Sequence, residues 1–372
     1  MKKHSLAQII ILAAFVLGIC LPMPLWLVLG GRLKGGIFAG GGEMRNLAQM
    51  PVLTAENYAS FPREFEAYLN DHMPFRDALI TTGSVSDYLL FGTSSGKVIV
   101  GEDGWLFYGA KDDGDPVADY RGEYLFTKNQ LADIAKRLCD MRDELAGKGI
   151  EFVVFLAPNK ERMYSEYMPK EYGAPAEKYR YKQLYEYLRD NTDIKVINSM
   201  DALMAAKEKT QIPIWYKTDT HWNDVGAYVG SRELLSSLGI ELPDIDEGVY
   251  TPVVCEETAG DLARLLHMEF LLKRGDNECR LEGFEISGET AAEEAYHSAV
   301  EHHNTGADER RIYVCRDSYC DAMIKYIGSS FNESRFVYWQ SFDSSDLYDY
   351  EPDIFVIELV ERYLNQLMIV GL

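Results

Sequence analysis

A helical pattern that runs directly into an apolar segment constrains the fold of this chain more than any other feature. Thr127 is a good N-cap, and apolar side chains recur after it at helical spacing as far as Leu145. Gly147 and Gly149 end this helix, and residues 151–156 are then almost continuously apolar. Such a run is typical of a parallel strand that is buried on both faces, so the segment predicts a helix followed by a central strand.

The same alternation continues along the chain and predicts the fold class. Helices are expected over 176–191 and 223–238, and strands over 194–197, 311–315 and 353–359, the last two each followed by a helical pattern. Strands that alternate with helices imply a mostly parallel sheet with helices on both faces. We therefore expect an α/β domain with three layers, helices on either side of one sheet.

The first 34 residues predict a membrane anchor. Residues 6–31 carry no charge and are mostly apolar, and crossing a bilayer takes roughly 20 apolar residues. Pro22 and Pro24 interrupt the run before it extends further, which favours a signal anchor, one N-terminal transmembrane helix, over a cleaved signal peptide. Ile19 stands before Cys20 where a lipoprotein needs a small residue, which argues against lipidation.

Charges beside the apolar run predict the orientation. Lys2 and Lys3 ahead of it favour a cytoplasmic N-terminus, although Arg32 and Lys34 behind it weaken that bias. A large polar domain follows, so we expect a single-pass protein of the cell membrane with its folded domain outside the cytoplasm.

The remainder divides into a tether and one domain. Residues 35–52 begin with a glycine-rich stretch that reads as a flexible tether, and the folded domain is expected over 53–372. Within it, 58–80 predicts a helix that a proline interrupts, and 98–108 predicts a hairpin. Residues around 244–304 show little periodicity and many acids, so we expect an irregular insertion there.

The charge of the chain excludes some partners. The formal net charge is −22. Because the segment to Lys34 has four basic and no acidic residues, the remainder carries 33 basic against 59 acidic residues, or −26. Such a field repels nucleic acid and anionic membrane surfaces, and neutral or cationic partners remain open.

Five cysteines lie outside the apolar run, at spacings that match no zinc motif. They are Cys139, Cys255, Cys279, Cys315 and Cys320. Cys255 and Cys279 are a plausible disulfide pair, whereas Cys315 and Cys320 favour core packing over redox chemistry.

Ser318 follows the predicted strand 311–315 directly, in the segment Arg316-Asp317-Ser318. A serine at a strand-to-helix junction lies at the carboxyl edge of the sheet, where open α/β sheets bind ligands. Backbone N–H groups of the following helix start can stabilise an oxyanion there. The simpler interpretation is that Asp317 and Ser318 form an ordinary N-cap.

Asp219 and His221 supply the groups that such a serine needs. His221 precedes a helix that Asn223 caps, so its ring should lie at a positive helix end, which disfavours imidazolium and suits a general base. Asp219 can accept a proton from one ring nitrogen and turn the other toward Ser318. An acid, a base and a nucleophile are the set used for acyl transfer through a serine.

Two plainer interpretations of this pair remain. His221 and Asp219 can be a structural histidine satisfied by a local carboxylate, or an Asp-x-His metal pair. A metal needs at least a third ligand, and His302-His303 is the obvious candidate cluster, at spacings that match known sites poorly. We therefore expect no metal.

Several segments, in order along the chain, resemble one known family. They are similar to the bacterial cell-surface polysaccharide O-acetyltransferases of the alginate type and the related DHHW proteins. The segments are NDHMPFR at 70–76, GWLFY at 104–108, PNKERMYSE at 158–166, DTHW at 219–222, DSY at 317–319 and ELVERY at 358–363.

The resemblance implies an SGNH-hydrolase-like α/β/α domain that needs no cofactor. Ser318 would take the acetyl group, His221 would be the base and Asp219 its orienter, an order that is the reverse of ordinary SGNH esterases. Arg316 departs from the pattern, because ordinary SGNH enzymes place a glycine there. In related systems a multispanning membrane O-acyltransferase brings the donor to the outer face, which implies such a partner.

Five further residues are candidates for substrate or oxyanion contacts. Asn159, Lys160 and Tyr164 follow the strand that ends near residue 156, so they lie at the same sheet edge. Asn159 can donate to an oxyanion or cap a turn, and Trp222 can stack on a sugar ring or pack in the core. Arg316 is included because it precedes the nucleophile segment.

These observations support three hypotheses. The leading one is an extracytoplasmic O-acetyltransferase that moves acetyl groups through acetyl-Ser318 onto hydroxyls of a cell-envelope or exported polysaccharide. The second is a carbohydrate acetyl esterase that uses the same residues. The third is a non-catalytic polysaccharide-binding subunit, which predicts that Ser318 and His221 lie beyond the reach of one bridging water.

Overall fold

The computed structural model describes residues 6–29, 32–33, 47–91, 96–210, 212–245, 251–254, 259–272, 279–292, 299–369 and 371. Most of the predicted tether and Cys255, with its predicted disulfide, lie outside these residues. The chain divides into two compact units, one of residues 1–95 with 263–273, the other of residues 96–262 with 274–372.

Four helices form most of the first unit: α1 (Leu6–Cys20), α2 (Pro22–Leu29), α3 (Phe61–Asp71) and α4 (Arg76–Phe91). The single transmembrane helix expected here is not found in the part of the chain that the structure describes. Among the described residues, no one helix has the length and apolar character to cross a membrane, and only α1 and α2 together, bent by 42°, pass that test. The break falls at Leu21, just before Pro22.

The second unit carries all eleven described strands. They are β1 (Val98–Val100), β2 (Leu106–Tyr108), β3 (Glu151–Ala157), β4 (Lys195–Asn198), β5 (Thr251–Val254), β6 (Cys279–Glu282), β7 (Glu289–Ala292), β8 (Val300–His303), β9 (Asp308–Arg316), β10 (Phe331–Tyr338) and β11 (Ile354–Val360). Seven form one sheet in the order β4-β3-β11-β9-β10-β8-β7, and β1 with β2 forms the predicted hairpin.

The seven-stranded sheet is mixed. Strands β4, β3, β11, β9 and β10 run parallel, whereas β8 and β7 pair antiparallel at one edge. The central strand β11 is buried along its whole length and is apolar at every position except Glu358, as expected for a strand covered on both faces. The expected mostly parallel sheet is therefore present with an antiparallel extension.

Ten more α-helices lie in the described residues. They are α5 (Pro116–Arg121), α6 (Lys128–Ala146), α7 (Lys160–Met163), α8 (Arg180–Asn191), α9 (Met200–Lys209), α10 (Asp224–Ser237), α11 (Asp261–Leu265), α12 (Glu269–Leu272), α13 (Ile324–Gly328) and α14 (Ser344–Tyr350). Helices α6 and α8 pack together, and α10 packs with α9 and α13. The expected α/β class is thus confirmed.

The helix that was predicted to begin after Thr127 forms as expected. Thr127 caps α6 with a reciprocal capping box, in which its side chain accepts from Gln130 N–H and the Gln130 side chain accepts from Thr127 N–H. The apolar face of α6, from Leu131 to Leu145, is buried. The boundaries of β3 also agree with the apolar run.

Two expectations were wrong in detail. The stretch 244–304 contains strands β5 to β8 and helices α11 and α12, so it is more regular than its pattern suggested. Elements of four or five residues hold too few positions to show a periodicity. Strands β9 and β11 are each followed by a 3₁₀ helix, Ser318–Ala322 and Glu361–Met368, and not directly by an α-helix.

A buried ion pair joins α5 to α8. The Arg180 guanidinium donates to both carboxylate oxygens of Asp119, each at 2.6 Å, and both side chains are 1% exposed. Removal of one partner leaves the other charge buried and uncompensated. We predict that Asp119→Ala lowers the free energy of unfolding by about 3–5 kcal/mol, as measured by denaturant unfolding.

The exposed pair Arg189–Asp190 is the matched control. Asp190→Ala should leave the denaturation midpoint unchanged, since solvent already screens that pair. Equal midpoints for Asp119→Ala and Asp190→Ala would contradict a stabilising role for the buried pair.

Candidate active site

Ser318 stands where β9 ends, at the carboxyl edge of the sheet, and is half-buried. It is the first residue of the 3₁₀ helix Ser318–Ala322, which Asp317 caps by accepting Tyr319 N–H at 2.8 Å. The second oxygen of Asp317 accepts Val360 N–H at 2.7 Å, which ties the turn to the end of β11. The N-cap interpretation therefore holds, and it serves to fix the serine.

His221 and Asp219 lie on a tight loop between two paired tryptophans. Trp215 and Trp222 form an antiparallel bridge, and Tyr216 N–H donates to His221 O across the loop. His221 Nε2 is 2.8 Å from Ser318 Oγ, and His221 Nδ1 is 2.6 Å from Asp219 Oδ1. The structure thus brings the three predicted side chains together.

The Asp219 carboxylate raises the pKa of His221. Burial acts to lower the pKa of His221, but the charge and hydrogen bond of the Asp219 carboxylate outweigh it, and the pKa of His221 is raised. Burial likewise acts to raise the pKa of Asp219, yet the charge of His221 and the hydrogen bonds lower it. This direction is opposite to the expectation that a helix end keeps His221 less basic, because the Asp219 carboxylate bonds directly to the ring.

Tyr319 and Trp222 link the histidine loop to the serine turn. Trp222 Nε1–H donates to Tyr319 O at 2.9 Å, and Tyr319 Oη–H donates to Thr220 O at 2.7 Å. Trp222 is 1% exposed, so it packs in the core and does not present a face for sugar stacking. These two bonds set the separation of His221 from Ser318.

Lys160 also has a structural role where a substrate contact was predicted. Its side chain is buried, and Nζ donates to Leu106 O, Lys217 O and Asp219 O at 2.6, 2.9 and 2.8 Å. A lysine ammonium has three donors. The ammonium therefore fastens β2 to the loop that carries Asp219.

The other predicted contact residues are buried too. Asn159 donates from its amide to Asp119 at 3.4 Å and accepts Arg362 N–H at 3.3 Å, and Tyr164 accepts Ile214 N–H. These partners hold the sheet edge together. The oxyanion role of Asn159 stays a prediction.

Arg316, the last of the predicted contact residues, also makes its contacts within the protein. Its guanidinium donates to Asp321 Oδ1 at 2.6 Å and lies over the ring of Tyr338, 3.8 Å from the ring centroid. The residue is buried and keeps an extended conformation in β9, without the positive φ that would require glycine. The sequence departure at this position therefore leaves the backbone of the turn intact.

No cluster of potential metal ligands in the described part of the chain includes His302 or His303. His302 bonds to Thr290 and to Ser287 O, and His303 bonds to Glu333. Atoms of Asp219, His221 and Asp261 do lie within 4.8 Å of one another. Hydrogen bonds inside the protein account for that clustering.

Sequence reasoning missed three charged residues beside the triad. Asp261 bonds to the histidine loop. Glu358 accepts Asp317 N–H at 3.0 Å, and burial raises its pKa well above the usual range. The Arg362 guanidinium lies 5.4 Å from the centroid of the Tyr319 ring. Glu358 and Arg362 belonged to a recognised motif, ELVERY, whereas Asp261 lay in a stretch without a pattern.

Fold and site together define an SGNH-hydrolase-like α/β domain with a serine, a histidine and an aspartate in hydrogen-bonded series. A family model described as SGNH hydrolase-like domain, acetyltransferase AlgX, matches residues 98–292. The chain belongs to this family, which confirms the resemblance drawn from its motifs. The matched segment includes Asp219 and His221 and ends before Ser318.

Sequence relatives agree with this assignment. The chain is 27% identical over 237 residues to the probable alginate O-acetylase AlgJ of Pseudomonas syringae, over 62% of this chain and 58% of that protein. It is 26% identical over 209 residues to the protein of the same name from Pseudomonas aeruginosa, over 55% and 50%. The chain thus spans about half the length of the curated relatives it matches.

Solved structures share the fold. Bacillus cereus PatB1 matches with a TM-score of 0.54 and 18% identity, over 73% of this chain and 96% of that one. A DHHW family protein from Eubacterium siraeum matches with a TM-score of 0.51 and 14% identity, over 74% and 98%. At these identities the similarity concerns the fold alone.

Lys160→Met tests the fastening role. The substitution leaves three carbonyls of the loop and of β2 without their donor, and each unpaired buried group costs about 1–3 kcal/mol. We predict a loss of at least about 3 kcal/mol in the free energy of unfolding, as measured by denaturant titration.

Lys170→Met is the control, because the Lys170 side chain is 92% exposed. It should unfold at the wild-type midpoint. If Lys160→Met did so as well, the three carbonyl contacts would not stabilise the loop.

Proposed function

We propose that this chain is an extracytoplasmic, membrane-anchored O-acetyltransferase. It moves acetyl groups through an acetyl-Ser318 intermediate onto hydroxyls of a cell-envelope or exported polysaccharide. The observation that carries the proposal is the hydrogen-bonded series from Asp219 Oδ1 through His221 to Ser318 Oγ, at 2.6 and 2.8 Å. A non-catalytic subunit needs no such series, and the esterase hypothesis uses the same groups.

The two half-reactions follow from this geometry. His221 Nε2 takes the Ser318 hydroxyl proton as Oγ attacks the acetyl carbonyl carbon, and the leaving group departs with that proton. An acceptor hydroxyl then gives its proton to His221 and attacks the acetyl-enzyme, and His221 returns the proton to Ser318 Oγ as the ester bond breaks. Asp219 stabilises the imidazolium in both steps.

The start of the 3₁₀ helix supports oxyanion stabilisation. The first N–H groups of a helix have no partner within it, and Ser318 is the first residue of Ser318–Ala322. Tyr319 N–H is already bonded to Asp317. The N–H of Ser318 is therefore the backbone donor best placed for a developing oxyanion.

The net charge of the chain limits which polymers we expect as acceptors. A chain with a net charge of −22 repels polyanions over several ångströms, and low ionic strength strengthens the effect. We therefore expect neutral or amino-sugar polymers to be better acceptors than polyanionic ones. A multispanning membrane O-acyltransferase is the proposed donor-side partner, and the bent apolar pair α1–α2 is the proposed anchor.

Acetyl transfer to the enzyme is the first test. The full-length chain in detergent is incubated with p-nitrophenyl acetate, and nitrophenol release and the acetylated peptide are measured. Wild type should release nitrophenol and carry the acetyl group on Ser318, and Ser318→Ala should lose activity by about 10³-fold or more.

Ser236→Ala, an exposed serine, is the control and should match wild type. Equal rates for Ser318→Ala and wild type would refute the proposal. With oligosaccharide acceptors present, acetyl-sugar formation supports a transferase, whereas release of acetate alone supports the esterase.

The pH dependence tests the histidine. Since only neutral His221 accepts a proton, the rate should rise with pH through a pKa above the ordinary value of about 6.5. Asp219→Asn removes the charge that raises this pKa, so the acid limb should move to lower pH while the plateau rate falls by on the order of 10⁴. A limb that stays in place in Asp219→Asn would argue against His221 as the base.

A further inference from the structure

A second carboxylate, Asp261, stands against the Asp219–His221 pair. Its backbone N–H donates to Asp219 Oδ2 at 2.9 Å, while Asp219 Oδ1 bonds to His221 Nδ1 at 2.6 Å. The two oxygens of Asp219 are thus divided between two partners. Rotation of the carboxylate away from the ring would break both bonds.

Thr220 connects Asp261 to the loop a second time. The Asp261 carboxylate accepts Thr220 N–H at 2.8 Å and Thr220 Oγ1–H at 2.6 Å. Thr220 lies between Asp219 and His221 in the chain. Three hydrogen bonds therefore join Asp261 to the loop: Asp261 donates one of them and accepts two.

Gly260 permits this close approach. Its N–H donates to Thr218 Oγ1 at 3.0 Å. A Cβ at this position would lie 2.4 Å from both Asp219 Cβ and Thr218 O. Any larger residue would push Asp261 off the loop, so the contact requires the Gly260-Asp261 pair.

We propose that Asp261 is a positioning residue of the active site: it fixes the Asp219 carboxylate toward His221 and adds a second negative charge beside the imidazole. Asp261 Oδ2 lies 3.8 Å from His221 Nδ1. The positioning role for acetyl transfer rests on the function proposed above. The charge effect on His221 can be measured without it.

Charged groups from several described segments act on His221. Asp219 and Asp261 raise its pKa by their negative charge, and Arg362 lowers it. Asp317, on the serine turn, interacts electrostatically with His221 as well. Asp219 bonds to the ring directly, whereas Asp261 acts on it by charge from 3.8 Å.

Asp261→Asn separates charge from shape. The backbone N–H to Asp219 remains, the amide oxygen still accepts Thr220 N–H, and the Thr220 hydroxyl can turn to accept from the amide nitrogen. In the full-length chain, we expect the NMR titration of His221 and the acid limb of the rate profile to move to lower pH. A His221→Gln sample assigns the histidine signal.

Asp261→Ala removes shape as well as charge. It should show the same shift and a plateau kcat lower by about 100-fold, because Asp219 is then free to turn. The control is Glu282→Gln, which removes one exposed acidic charge from the same unit. It should leave the titration and kcat as in wild type.

The outcomes are distinct. An unchanged His221 titration in Asp261→Asn would overturn the charge effect, and wild-type kcat in Asp261→Ala would overturn the positioning role. Activity lost on chelation and restored by zinc would assign the three side chains to a metal and also overturn it. If Ser318→Ala is as active as wild type, the proposed function fails while the titration still decides whether Asp261 acts on His221.

Discussion

The two hydrogen bonds between Tyr319 and the histidine loop are the constraint on which the site depends. One runs from Trp222 Nε1 to Tyr319 O and the other from Tyr319 Oη to Thr220 O. Tyr319 follows Ser318 directly, so any motion of the loop relative to the serine turn must break a buried bond. Because an unpaired buried group costs about 1–3 kcal/mol, these bonds hold His221 Nε2 at 2.8 Å from Ser318 Oγ.

Buried acids fix the other side of the site. Asp317 accepts N–H groups from Tyr319 and Val360, and Glu358 accepts the N–H of Asp317 itself. These bonds tie the ends of β9 and β11 at the carboxyl edge of the sheet. Burial raises the pKa of Asp317 and of Glu358. Both side chains accept hydrogen bonds from backbone N–H groups, and a carboxyl group can accept whether it is ionised or protonated. The serine is thus placed by backbone contacts, which a substitution on the surface does not disturb.

The sequence predicted which side chains form the hydrogen-bonded series better than it predicted the residues that hold them. Ser318, His221 and Asp219 were found because strand ends and short motifs mark the sheet edge. Lys160 and Trp222 were placed at the same edge, but residue type and position do not reveal burial, and both turned out to be structural. Asp261 gave no signal, because a residue that acts through one loop contact lies in no periodic pattern.

Arg316 shows why a motif can change without loss of the geometry it marks. A glycine before Asp-Ser is needed only where the backbone takes a positive φ or a side chain would clash. Here residue 316 is the last of β9, in extended conformation, and its side chain lies over the ring of Tyr338 and bonds to Asp321. The guanidinium also donates to Asp317 O at 3.2 Å, so it helps to hold the turn that carries Ser318. The Arg316 side chain therefore stabilises the turn, whereas a glycine would only permit it. The N–H of Ser318 stays at a helix start.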